Sequence, residues 1–192
     1  MLTINLRLSA ASLLAALCCA PVLADEGPVK SGVRYSSPES RAPAEYLNER
    51  EAVGLLETVD DSEVETARLA LERSRNEDVL AYARHMIEDH ENSRRTIGET
   101  GIKGMGSEAR RHVQDRARMT TNRLKRLEGD AFDRAYIASQ VENHQMVIDK
   151  LDQKIVPHAK TGAFATHVQD RRPVIQGHLD EARRLKSRLG TR

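Results

Sequence analysis

Four residues that could bind a metal ion fall at matching positions in the chain: Glu63, His90, His144 and His178. Each lies on the apolar stripe of a stretch with helical periodicity, so each is expected to point into a core. Imidazole nitrogens and a carboxylate oxygen are ligands of Zn²⁺, Cu²⁺ and iron ions. The residue types therefore indicate a site for one transition-metal ion, provided that the fold brings the four side chains together.

Residue counts from the turns predict that the four side chains lie at one level. Glu63 is about thirteen residues before a turn near residue 76 and His90 about fourteen after it, which places both about 20 Å from that turn. A helix over residues 107–127 is long enough to carry the chain back to the same end. His144, about fourteen residues into the following helix, then lies at the same depth. His144 and His178 also flank a second turn, near residue 160, at similar distances.

Four long amphipathic helices must position this layer, and the sequence predicts an all-α four-helix bundle. The predicted helices cover residues 63–74, 76–97, 130–157 and 162–189, with the arginine-rich helix 107–127 at the periphery. Asn76 and Ser107 are the expected N-caps of two of these helices. No strand pattern or hairpin pattern is present.

A short extra N-terminal helix is expected from residue 44, with a break at residues 58–61. The break is predicted because Asp60 and Glu63 have the spacing of a capping box, in which each side chain caps the backbone amide of the other. Glu63 would then stand in the first turn of a new helix.

The N-terminus has the features of a secretory signal peptide over residues 1–24. Arg7 precedes an apolar run over residues 8–20, and Ala24 closes a small-residue cleavage site. Both cysteines of the chain fall inside this segment, so the exported protein would have neither a disulfide nor a thiolate ligand. Residues 25–43 are rich in Pro, Gly and Ser and are expected to be a disordered lead-in to the bundle, residues 44–192.

The composition excludes several classes of function. Removing the signal peptide takes away one of 30 basic residues and none of 29 acidic ones, which leaves an even balance. A neutral surface with only 3% aromatic residues argues against a nucleic-acid-binding protein. The exported chain has no apolar run that would span a membrane. No GxSxG, CxxC or HExxH motif is present, so nothing in the sequence indicates an enzyme.

The remaining polar residues near the layer are expected to play lesser parts. Asp89 and Glu142 are turned away from it by the helical period, whereas Gln140 could support a ligand by a hydrogen bond. The other four histidines are expected to be solvated: His85, His112, His158 and His167.

Two interpretations of the layer remain open. It could hold one metal ion, in a protein that buffers metal or protects against stress. It could instead be a buried hydrogen-bonded network of histidine and glutamate that fixes helix register, in a non-catalytic envelope or stress protein that meets partners through its charged faces. An oxidoreductase that uses the same site with Tyr136 is disfavoured, because no cofactor motif or nucleophile–base pair accompanies it.

Three blocks of the chain resemble a family of exported bacterial proteins: SEVETARLALERSRNEDVLAYARHMIEDH, GDAFDRAYIASQVENHQ and RPVIQGHLDEARRL. The family has a ferritin-like helical domain and no assigned function, and its members are often labelled predicted outer membrane proteins. The resemblance implies a ferritin-like bundle in which the arginine-rich helix is a crossover. It also implies a periplasmic location, with the family label suggesting association with the outer membrane.

The sequence departs from the ligand pattern of ferritin-like di-iron proteins, which carry Glu-x-x-His on two helices. The residues three before His90, His144 and His178 would have to be glutamates, but all three are apolar: Ile87, Val141 and Ile175. A single ion is therefore expected, and no di-iron centre.

Overall fold

The structure is a computed structural model that describes residues 46–190, and within that range the chain forms helices and no strand. The helices are α1 (Glu49–Arg73), α2 (Glu77–Glu99), α3 (Glu108–Leu124), α4 (Gly129–Lys150) and α5 (Gly162–Gly190). A π-helical turn, Leu151–Ile155, extends α4. The all-α prediction is confirmed. The predicted signal peptide and the predicted lead-in lie outside the described residues.

Helix α1 runs without a break, so the predicted short N-terminal helix and its end at residues 58–61 are wrong. The capping box lies earlier in the chain, at Asn48 and Glu51. Asn48 Oδ1 accepts a hydrogen bond from the backbone nitrogen of Glu51 at 3.0 Å, and Glu51 Oε2 accepts one from the backbone nitrogen of Asn48 at 3.2 Å. These two bonds satisfy amides that a helix start leaves free.

Asp60 and Glu63 lie inside α1, where they are 4% and 2% exposed. The spacing that predicts a capping box is also the spacing of two residues on the inward face of one helix. Both carboxylates bond to other helices, and these contacts outweigh the low helix propensity of Asp60.

Helices α1, α2, α4 and α5 form the bundle. The α1–α2 and α4–α5 pairs are each joined by a short turn, and α2 packs on α5 while α1 packs on α4. Helix α3 packs mainly on α1 and leads back to the α1–α2 turn, where Arg73 Nη1 lies 3.7 Å from Glu128 Oε1. The predicted N-caps Asn76 and Ser107 are confirmed. Over residues 46–190 no helix is both long and apolar enough to cross a membrane.

Two apolar clusters fill the bundle, and a polar layer separates them. On α1, Val59 belongs to one cluster and Ala67 to the other, while Asp60 and Glu63 lie between them. The same order holds on the other three helices of the bundle, where the buried polar residues at this level include His90, Gln140, His144 and His178. The polar side chains are therefore enclosed by apolar packing on both sides.

The connection between α2 and α3 lies against α1 at a pair of glycines. A Cβ atom at Gly54 would collide with the backbone oxygen of Met105, and one at Gly104 would lie 2.8 Å from the Cα atom of Gly54. The close approach allows the backbone nitrogen of Met105 to donate to the backbone oxygen of Arg50 at 2.8 Å. A side chain at either glycine would push the two segments apart.

We expect Gly54→Ala to destabilise the protein by about 1–3 kcal/mol, because the added methyl group overpacks a backbone contact. Gly177→Ala is the matched control, since Gly177 lies within α5 and nothing would contact its added Cβ. That control should stabilise the protein by about 0.5–1 kcal/mol. Urea denaturation of the two variants measures both effects, and equal effects would contradict the role of Gly54.

Candidate metal centre

Three buried histidines from three helices meet in the middle of the bundle. His90 on α2, His144 on α4 and His178 on α5 are each at most 2% exposed. Their ring centroids are 5.4 to 5.9 Å apart. One ring nitrogen from each lies within 4.8 Å of those of the other two, so the group could hold a metal ion.

His144 shows most directly how these rings are oriented. Its Nδ1 lies 2.9 Å from the backbone oxygen of Gln140, one turn earlier on α4. A carbonyl oxygen can only accept, so Nδ1 carries the proton and Nε2 of the neutral ring has a free lone pair. That Nε2 has no hydrogen-bond partner among the described residues.

The other two histidines follow the same pattern with carboxylate partners. His90 Nδ1 lies 2.8 Å from Asp60 Oδ1, and His178 Nε2 lies 2.7 Å from Asp89 Oδ2. The opposite nitrogens, His90 Nε2 and His178 Nδ1, are buried and have no hydrogen-bond partner in the described part of the chain. Three ring nitrogens in the centre of the layer are therefore unsatisfied.

Burial favours the neutral form of His90 and His178. The pKa of His90 is lowered from its ordinary 6.5 to about 3, mainly by burial; the Glu63 carboxylate opposes this shift and the neighbouring His144 adds to it. The pKa of His178 is also lowered, first by burial and then by the other two imidazoles. Burial raises the pKa of the Asp60 carboxyl to about 7. Once ionised, Asp60 accepts a hydrogen bond from the protonated Nδ1 of His90, which leaves Nε2 of the neutral ring unprotonated.

Glu63 lies beside the three imidazoles and has other partners. Its carboxylate accepts from Gln140 Nε2 at 2.7 Å and from Asn143 Nδ2 at 3.3 Å. With His90, His144 and apolar side chains it lines a cavity of about 10 Å³. That volume is about one water-sized sphere. Of the four predicted ligands, the structure thus brings the three histidines together and places Glu63 beside His90 and His144, held by the predicted supporting residue Gln140.

Asp89 contacts the layer, so the prediction that the helical period turns it away is wrong. Asp89 precedes His90 on α2 and falls at the edge of the inward stripe, where α5 packs, and this position lets its carboxylate reach His178. Glu142 is turned outward as predicted, with a side chain 60% exposed and 3.5 Å from Arg116. The one sequence feature that indicates an interaction at this edge of α2 is the i,i+4 spacing of His85 and Asp89.

His167 is buried, which contradicts the prediction that it is solvated. It is 7% exposed, and its Nδ1 lies 3.2 Å from Thr96 Oγ1 on α2. Burial lowers the pKa of His167. Arg171, one turn later, is also buried, and the buried face of α5 is therefore wider than the apolar stripe that predicted it. The other three histidines of the predicted solvated set are exposed: His85, His112 and His158.

Asp60 is a residue of the layer that sequence reasoning took for a helix cap. The pattern that could have found it is a continuous series at alternating three- and four-residue spacing: Val53, Leu56, Asp60, Glu63 and Ala67. Such a series indicates one unbroken helix with two carboxylates on its inward face.

We expect the metal-free protein to lose stability as the pH falls from about 6.5 to about 4. The folded-state pKa of His90 is below its ordinary 6.5, so in this range the unfolded chain takes up a proton that the folded protein does not. His178 acts in the same direction. Asp60 acts in the opposite direction, because its folded-state pKa of about 7 exceeds its ordinary 3.8. Two histidines against one aspartate leave a net uptake of about one proton in the lower part of this range, which lowers the free energy of unfolding by about 1.4 kcal/mol per pH unit.

Urea denaturation in the presence of a chelator, repeated across this pH range, measures the slope. His112→Gln is a suitable control, because the His112 side chain is 71% exposed and its loss should leave the slope unchanged. Asp60→Asn removes the opposing group and should steepen the slope. Constant or rising stability of the unmodified protein from pH 6.5 downward would contradict the neutral, buried state of His90 and His178.

Comparison with known proteins gives a family without a described activity. No curated protein and no solved structure matches the chain. One family model, described as a domain of unknown function (DUF4142), matches residues 36–185. This match covers most of the sequence and all four bundle helices up to the last turns of α5, so the chain belongs to the DUF4142 family.

Proposed function

We propose that this protein binds one transition-metal ion in the middle of its bundle and serves as a metal-buffering or stress-protection protein. The ligands are His90 Nε2, His144 Nε2 and His178 Nδ1. The proposal rests on two observations: these three nitrogens are buried without hydrogen-bond partners, and one ring nitrogen of each histidine lies within 4.8 Å of those of the other two.

Buried ring nitrogens without hydrogen-bond partners are energetically unfavourable. A buried polar group without a partner costs about 1–3 kcal/mol, and most native proteins avoid it. Here three such groups from three helices face one another, and the rings do not hydrogen-bond to each other or to Glu63. A cation between His90, His144 and His178 satisfies all three nitrogens at once.

The outer partners of the rings match those of metal-binding histidines. Such histidines usually donate their second ring nitrogen to a carboxylate or a backbone carbonyl, which fixes the ring and raises its basicity. His90 and His178 each have a carboxylate in that position, and His144 has the carbonyl of Gln140. The rings are thus oriented before any ion arrives.

The donor set narrows the choice of metal. Three imidazoles without a thiolate suit Zn²⁺, Cu²⁺ or an iron ion better than Mg²⁺ or Ca²⁺, which prefer oxygen. Glu63 is the nearest carboxylate to a fourth position, since it lines the cavity with His90 and His144. Apolar Ile87 and Ile175 stand where a di-iron centre would need glutamates, which supports one ion.

The small volume of the cavity favours holding a metal over catalysis. A space of about 10 Å³ admits an ion or a water molecule and no organic substrate. Tyr136 is buried nearby, and its hydroxyl has no partner among the described residues. Asp133, the other polar residue of that segment, bonds to Ser74 at the end of α1. Neither residue forms a nucleophile–base pair with the histidines.

The periplasm is the working compartment in this proposal, on the strength of the signal peptide predicted over residues 1–24. Metal buffering there would need no thiolate, and the sequence has its only cysteines, Cys18 and Cys19, inside that segment.

A second candidate is a protein whose polar layer is purely structural and whose function lies in contacts with partners. It is supported by the helix pairs that the layer joins: Asp60 and His90 link α1 to α2, and Asp89 and His178 link α2 to α5. Such bonds can fix register without any ion.

Metal analysis of purified protein tests the first candidate. We expect about one ion per chain in the unmodified protein after exposure to Zn²⁺ or Cu²⁺. His90→Gln/His144→Gln removes two ligands and should weaken binding by more than about 100-fold, since outer partners alone are worth about 10- to 100-fold. The matched control is His112→Gln/His158→Gln, which removes two exposed histidines. Equal metal in the first double variant and the unmodified protein, or none in either, would refute the proposal.

Unfolding measurements separate the two candidates further. Zn²⁺ at a free concentration 100 times its Kd should raise the free energy of unfolding by about 2.7 kcal/mol. The increase should vanish in His90→Gln/His144→Gln and persist in His112→Gln/His158→Gln. A purely structural layer predicts instead that the ligand substitutions change stability while Zn²⁺ changes nothing.

A further inference from the structure

A second group of metal-binding side chains lies at the surface next to the core histidines. His85 and Asp89 on α2 and Glu181 on α5 form it. His85 Nε2 lies 3.1 Å from Asp89 Oδ2, and His85 Nδ1 lies 3.5 Å from Glu181 Oε2. The His85 side chain is 52% exposed, and the two carboxylate side chains are 24% and 35% exposed. Solvent therefore reaches this group directly.

The surface group is continuous with the core through His178. Asp89 Oδ2 lies 3.1 Å from His85 Nε2 and also 2.7 Å from His178 Nε2. The ring centroids of His85 and His178 are 5.3 Å apart, about the same separation as those of His178 from His90 and His144. Four imidazoles thus form an unbroken series from solvent to the centre of the bundle.

His178 lies between the two groups and presents one ring nitrogen to each of them. The ring is buried, its Nε2 faces Asp89, and its Nδ1 has no partner and belongs to the core group. Donor atoms of His85, Asp89 and His178 also lie within 4.8 Å of one another, so this side could hold an ion too. An isolated surface ion pair would have neither feature.

We propose that His85, Asp89 and Glu181 form a capture site for the divalent cation that the core histidines hold. This inference rests on the proposed function. One imidazole and two carboxylates attract a hydrated cation and can replace part of its water shell. The ion then exchanges these ligands for the core nitrogens as the His178 side chain moves aside. Asp89 afterwards accepts a hydrogen bond from the protonated Nε2 of His178 again. The transfer therefore neither releases nor takes up a proton.

A capture site changes the rates of metal loading and release and leaves the equilibrium affinity for the metal unchanged. A capture site that is vacated once the ion reaches the core speeds binding and release by the same factor. We therefore expect His85→Asn/Glu181→Gln to slow loading by about tenfold or more and to slow extraction by a chelator equally, with Kd unchanged within about threefold. Asp89 is left intact, because it also orients His178.

Stopped-flow mixing with Co²⁺, followed by its visible absorption on the full chain, measures the loading rate. The matched control is His112→Asn/Glu108→Gln, because His112 Nε2 and Glu108 Oε1 form an exposed pair at 3.5 Å far from the layer in sequence. Equal loading rates in both double variants would overturn the capture site while the core site stands. Loss of equilibrium Co²⁺ binding in His85→Asn/Glu181→Gln would also overturn it, since the surface residues would then be part of the holding site. Absence of Co²⁺ binding to the unmodified protein would refute the proposed function and this inference together.

Discussion

Each buried imidazole in the middle of the bundle uses one ring nitrogen for a hydrogen bond, and that bond decides where the other nitrogen points. For His144 the partner is a carbonyl within its own helix, so the orientation is set as soon as α4 forms. For His90 and His178 the partners lie on neighbouring helices, so their orientation exists only in the folded bundle. The convergence of three free nitrogens is therefore a property of the assembled helices and of no single one.

The polar layer is costly to bury, and the apolar clusters on both sides compensate for that cost. Asp60 is almost fully buried, and burial raises the pKa of its carboxyl, while a hydrogen bond with Ser93 and the charge of Arg171 lower it. The hydrogen bonds to Glu63 come from the neutral amides of Gln140 and Asn143. Two carboxyl groups and three imidazoles in one layer form an environment that would favour a cation, since buried charges are normally paired or bound to a metal. Replacing the residues of the layer with apolar ones would remove its polar chemistry, but the bundle could still fold.

The histidine layer could be predicted from the sequence because helical rise and period depend on residue counts alone. What the counts could not supply is which helix lies beside which face. The helical period places Asp89 outside the layer, because the period alone does not show that α5 covers the edge of α2 at that point. Asp60 was assigned to a cap because a three-residue spacing serves a cap and an inward face equally. His167 was assigned to solvent because the width of a buried face depends on neighbouring helices, and its partner Thr96 is 71 residues away in the chain.

In the proposed metal site, Asp89 would affect both the affinity for the ion and its access from solvent. Its carboxylate orients His178 toward the core, and it also contacts His85 at the surface. The three free ring nitrogens are buried, so an ion would reach them only when a residue of the bundle moves. His178 is the one core histidine whose partner is itself partly exposed, because Asp60 is buried and the carbonyl of Gln140 lies within α4. Opening the centre by way of His178 therefore exposes a single carboxylate that water already reaches, whereas opening it at His90 would separate a buried pair between α1 and α2. The lowest-cost path for an ion thus runs along the α2–α5 edge, through the residue that sequence periodicity placed outside the site.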